Sequence, residues 1–192
     1  MPPDVPILSE SLFEVFGSGS WVCLPERSPA AVATELGASM LPAAYRWEEN
    51  PHVGEGAGLL VLTVPMKGWM LLHGASETVG GAAAILSERH PVFRATIDVR
   101  LPAMSWAYLD GGMPSRTVSV ELGDDGDLVS RTSGDPLPFE GEDLVCPTSE
   151  YGYDPFFYPL AILARHGVGL DDLHAALTQP TVTLRLDRPA RV

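Results

Sequence analysis

Two apolar runs, Leu59 to Val64 and Trp69 to Leu72, stand on either side of Pro65-Met66-Lys67-Gly68. Neither run alternates between apolar and polar residues. Continuous apolar character over strand-length segments predicts strands with both faces covered, in the middle of a sheet. Pro65 presets φ for a turn and Gly68 tolerates positive φ, so the pattern predicts a hairpin with a four-residue loop. Ser20 to Leu24 reads as a short strand before it, and Thr181 to Leu186 as the last strand of the chain.

Between residues 92 and 132 the pattern changes to strict alternation. Phe93, Ala95, Ile97 and Val99 fall on one face of a predicted strand, and Arg94, Thr96, Asp98 and Arg100 on the other. Met104, Trp106 and Tyr108 alternate in the next strand, and Val118, Val120 and Leu122 in the one after. Asp124-Asp125-Gly126-Asp127 then turns the chain into Leu128 to Thr132. An antiparallel meander with one covered face follows.

Helical spacing predicts the remaining elements. Leu8, Leu12, Val15 and Phe16 share a face over Ile7 to Phe16. Ser28 and Pro29 open a helix as cap and first residue, and Gly37 is placed to end it. Met40 to Glu49 suits another helical turn or two, before a loop over Asn50 to Gly58. Ser76 is placed to cap a helix running to Arg89, in which Gly80 and Gly81 suggest close packing on the sheet. Phe156 to His166 and a segment from Asp171, read as its cap, to Leu177 complete the set. The order predicts a single α+β domain over residues 1–192, an antiparallel sheet with helices packed mainly on one face.

Charge changes this picture in one region. The chain carries a formal net charge of −13, and Lys67 is its only lysine. Ten carboxylates and one base, Arg131, lie between Glu121 and Asp154, a local balance of −9. Such a surface repels nucleic acid and anionic membranes and attracts basic proteins. Tyr151 and Tyr153 adjoin it, and tyrosine beside carboxylates suits an interface core with a charged rim. The residues expected to engage a basic partner are Glu121, Asp124, Asp125, Asp127, Glu140, Glu142, Asp143, Tyr151 and Tyr153. A solvated acidic face is the bland alternative. The run lacks the spacing of a calcium loop.

Signals of catalysis are weak. Gly54-x-Gly56-x-Gly58 leads into a strand and is no nucleotide loop, and Gly17-Ser18-Gly19-Ser20 is no nucleophile elbow. The histidines His52, His73, His90, His166 and His174 show no metal-ligand spacing. His90 and His166 fall at predicted helix C-termini, where a cationic ring suits the dipole. His73, at a strand end, is the one to keep in view for chemistry. Cys23 sits among apolar residues and reads as core, and Cys146 carries no sign of activation. No cofactor or metal is called for. If a small molecule binds, Trp69, His73, Trp106 and Tyr108 are expected to line its pocket, between sheet and helices. The N-terminus lacks a basic, apolar leader and no run is long enough to span a bilayer, so a cytoplasmic protein with reduced thiols is expected.

Several short strings resemble an uncharacterised actinobacterial domain family. They are Trp21-Val22, Ser28-Pro29-Ala30-Ala31-Val32 with Leu36-Gly37-Ala38, Lys67-Gly68-Trp69, Leu86-Ser87, and Leu160-Ala161-Ile162-Leu163-Ala164 leading to Gly167-Val168. The likeness covers residues 20 to 178 and departs at Val64-Pro65-Met66, where that family is more polar. It looks like the small acidic immunity and accessory proteins of bacterial conflict systems. That family has no established activity to carry over, and the likeness to immunity proteins is one of fold. The acidic surface from Glu121 to Asp154 leads to the expectation of a non-enzymatic binding protein that neutralises or regulates a partner. The rival expectation is a small-molecule enzyme or ligand-binding protein.

Overall fold

The strand that organises the molecule is β1, Ser18–Pro25. The computed structural model describes residues 18–42, 58–98, 103–123, 125–141, 145 and 158–186. Eight further strands are β2 (Ala38–Met40), β3 (Leu59–Leu62), β4 (Trp69–Gly74), β5 (Val92–Asp98), β6 (Ala103–Asp110), β7 (Met113–Leu122), β8 (Leu128–Ser133) and β9 (Val182–Leu186). Among the described residues, four helices accompany them: α1 (Pro29–Leu36), α2 (Ser76–Ser87), α3 (Tyr158–Arg165) and α4 (Leu170–Leu177). The strands form one sheet in the order β2-β9-β3-β4-β1-β5-β6-β7-β8, and β1 is its fifth and middle member. Every neighbouring pair in it is antiparallel.

Strand alternation sends successive side chains to opposite faces, and in β1 both faces are buried. Trp21 and Cys23 join one cluster with Leu71, Phe93, Met104, Trp106, Val118, and Ile162 and Leu173 from α3 and α4. Val22 and Leu24 join the other with Leu60, Met70, Leu72, and Val32 and Val79 from α1 and α2. The expected placement of helices mainly on one face therefore gives way to helices on both. The continuous apolar runs of β3 and β4 fit that arrangement, because a strand covered twice needs no polar side. The β5–β8 meander follows the expected alternation, with Phe93, Ala95 and Ile97 on one buried face and Met104, Trp106, Val118 and Val120 beside them.

Local chemistry explains several boundaries. The Ser28 hydroxyl accepts from the Ala31 N–H at 3.2 Å, Pro29 fills the first helical position, and Gly37 ends α1 at φ 59°. The β3–β4 hairpin is tighter than expected. Met66 and Trp69 exchange backbone hydrogen bonds of 2.7 and 2.9 Å, leaving a two-residue loop of Lys67 at φ 47° and Gly68 at φ 86°. Two positive φ values in succession match the right-handed twist of the flanking strands. Met40 closes β2, and the Leu41 N–H continues the ladder to the Thr183 carbonyl, so the helix expected from Met40 does not begin there. α2 starts at Ser76 with Ala75 in the cap position and no side-chain cap. α4 is capped through Gly169, whose N–H donates to the Asp172 carboxylate at 2.8 Å, rather than by Asp171. The segments 7–16 and 43–57, read as a helix and as helix then loop, lie outside the described residues.

Candidate functional site

The acidic end of the sheet is built by the β7–β8 turn. The Gly123 N–H donates to the Asp127 carbonyl at 2.7 Å and the Gly126 N–H to the Gly123 carbonyl at 3.0 Å. The Asp127 N–H donates to the Asp125 carboxylate at 3.3 Å. This geometry holds Asp125 and Asp127 in solvent; Glu121 beside the turn is exposed, and so is Asp135 past the far end of β8. None of the four has a cationic partner among the described residues. Asp124, Glu142, Asp143, Tyr151 and Tyr153 lie outside the described residues.

Glu140 differs from its neighbours. Its side chain is 3% exposed and meets Arg116, itself 5% exposed. Arg116 donates through Nε to one carboxylate oxygen at 3.0 Å and through its second terminal nitrogen to the other. The remaining terminal nitrogen donates to the Gly134 carbonyl at 2.8 Å, and the Leu137 N–H donates to Glu140 at 3.0 Å. The guanidinium thus clamps residues 133–140 over the sheet, with Leu137 and Phe139 packed on the core. The expected role of Glu140 on a partner-facing surface is corrected: it is an internal ligand of Arg116. The sequence does hold a signal for this. Arg116 lies on the same alternating face as Val118 and Val120, and a cation at a core-facing position needs a carboxylate.

The four residues expected to line a pocket do not converge on one cavity. Trp69 and Tyr108 both pack on Phe93, with centroids 6.1 and 5.0 Å away. His166 stacks near Trp69 at 4.3 Å, and Phe139 closes on both Phe93 and His166 at 5.5 and 5.2 Å. Trp106 is buried in the same core cluster. His73 stands four residues along β4 from Trp69, about 13 Å by strand rise. It is buried, stacks on Trp21 at 4.2 Å, and its Nδ1 lies 3.0 Å from the Ser20 carbonyl. Gly19 permits this: a Cβ there would come within 2.8 Å of the His73 ring. His73 is a packed core histidine. His166 is also not the solvated cation expected at a helix end, because burial among rings pushes its pKa down. Burial raises the pKa of the Cys23 thiol far above the ordinary thiol range, so it stays protonated and inert.

The opposite face of β5–β7 carries a feature the alternation alone does not announce. Register aligns Ser20, Thr96, Ser105, Ser119 and Arg131 in one row across five strands, and Arg94, Ala107, Thr117 and Ser133 in the next. A groove of about 200 Å³ opens there, lined by Arg94, Ser105, Ala107, Thr117 and Ser119, and Trp106 also borders it. The Arg94 guanidinium lies against Gly80 of α2, where a Cβ would stand 3.4 Å from Cζ. That distance is ordinary contact with the end of a flexible side chain, so Gly80 lies close to the sheet without being required there.

Among the described residues no group of three or more His, Cys, Asp or Glu side chains is placed to hold a metal ion. No helix there is long and apolar enough to cross a membrane. Compared with known family models, curated proteins and solved structures, the chain matches none.

Proposed function

We propose that this chain is a non-enzymatic binding protein of the bacterial cytoplasm that engages a basic protein partner, in the manner of the small acidic immunity and accessory proteins it resembles. The docking surface is the acidic end of the sheet, with Glu121, Asp125 and Asp127 as its described members. One observation carries the reading: these carboxylates are exposed and without cationic partners, while Glu35, Glu140 and Asp172 are each engaged by an arginine or the lysine of this chain. Uncompensated like charges gathered at one end create a field that speeds encounter with a cationic surface.

The test is a titration of isotope-labelled protein with a peptide of about ten residues rich in lysine and arginine, followed by amide chemical shifts. Shifts concentrated on Glu121, Val129 and the Gly123–Asp127 turn support the surface. Shifts spread evenly over Glu26, Glu77, Glu88 and Asp171 as well contradict it, since they mark a general response to net charge.

A further inference from the structure

We infer that the groove on the polar face of β5–β7 is a binding site for a small carboxylate, held by Arg94 and the hydroxyls of Ser105, Thr117 and Ser119. The inference is independent of the acidic docking surface and rests on three observations.

The first is an arginine without a counter-ion. Arg94 makes no hydrogen bond or ion pair among the described residues. Its guanidinium is half-buried against Gly80, and burial lowers its pKa. A cation taken partly out of water and left unpaired is costly, and proteins ordinarily supply a carboxylate for it. This chain has twenty-five acidic residues, yet none of the described ones is placed at Arg94. Arg116 on the other face shows the contrast, because there the fold supplies Glu140.

The second is the ring of donors. The hydroxyls of Ser105, Thr117 and Ser119 also make no hydrogen bond among the described residues, and all three are half-buried. Register places them on adjacent strands beside Arg94: Ala107 pairs Arg94 and Thr117, and Ser105 pairs Ser119. A planar guanidinium fork matches the two oxygens of a carboxylate, and hydroxyls can donate to the same oxygens or to a polar substituent.

The third is size and surroundings. A volume of about 200 Å³ equals the liquid share of about seven waters. That accommodates a carboxylate on a body no larger than one ring, with Ala107 offering an apolar patch. The net charge of −13 and the exposed Glu121, next in alternation beyond Ser119 on the same face, repel polyanions. A compact anion of single charge is the class that remains.

The experiment titrates the 192-residue chain with acetate, benzoate and inorganic phosphate in turn, against sodium chloride of equal ionic strength. Backbone amide and arginine Nε–Hε signals are followed by NMR. The expected result is saturable shifts at Arg94, Ser105, Thr117 and Ser119 with benzoate or acetate, weakened about tenfold or more in Arg94→Gln. Thr117→Val, which keeps shape on a strand, weakens binding about threefold and guards against a folding defect in the first variant. Arg185→Gln, exposed on β9 and four strands from β5, leaves the affinity nearly unchanged. Absence of saturable shifts, equal affinity in Arg94→Gln, or saturation by phosphate alone overturns the proposal.

Discussion

Removing the Glu140 carboxylate leaves Arg116 buried without its bidentate partner and frees the Leu137 N–H. Breaking such a pair by deleting one member costs about 3–5 kcal/mol, because the remaining charge stays desolvated. Glu140→Ala is expected to lose that much in denaturant unfolding, while Asp127→Ala, in solvent, changes stability by no more than about 0.5 kcal/mol. Similar losses for the two would contradict the clamp. His166 gives a second prediction at this scale. Burial among Trp69, Phe93 and Phe139 lowers its folded pKa, so below about pH 6.5, the unfolded value, the unfolded chain binds the extra proton first. The stability contributed by the neutral ring is complete above that pH and is lost as pH falls through the folded pKa. Unfolding of wild type and His166→Phe between pH 8 and pH 5, on the order of one unit per step, should show the wild type losing more. Parallel curves would place the ring in water.

At the scale of elements, the capped helix α1 was legible residue by residue: Ser28, Pro29 and Gly37 each do what their chemistry favours. Ser28→Ala is expected to cost about 1 kcal/mol. The hairpin was legible as a hairpin, but its loop was not. Lys67 at positive φ is uncommon for a side chain of that kind, and it is held there by tertiary contacts. Its ammonium meets Asp172 at 2.7 Å and donates to the Gly167 carbonyl at 3.2 Å, tying the turn to the α3–α4 junction. No local pattern encodes that contact, since the partners are a hundred residues apart. The clamped segment makes a sharper test. Gly134 has φ 83°, and a Cβ there would lie 1.9 Å from the Ser115 carbonyl oxygen. Gly134→Ala must therefore move residues 133–140 off β7, with a loss above about 2 kcal/mol. A loss below about 0.5 kcal/mol in thermal or denaturant unfolding would show that the strand and loop are not in this contact.

For the whole molecule, alternation identified which residues of β5–β7 face the core and which do not, and Trp106 with Met104 is buried as expected. Trp106→Ala should cost about 3–5 kcal/mol. Which helices cover which face was not legible, because an apolar helix side does not name the sheet face it packs on. The charge run from Glu121 to Asp154 was legible as composition only: it could not separate Glu140, which folds inward to Arg116, from Asp125 and Asp127, which the turn holds outward. Docking depends on the outward group. Its most direct test is the association rate, by surface plasmon resonance, between a basic partner recovered from native lysate and two forms of this chain: wild type and the Glu121→Lys, Asp125→Lys, Asp127→Lys variant. With unfolding unchanged, the account predicts association slowed about tenfold or more at low salt, the gap closing near 1 M salt where the screening length is about 3 Å. Equal rates at low salt would contradict it.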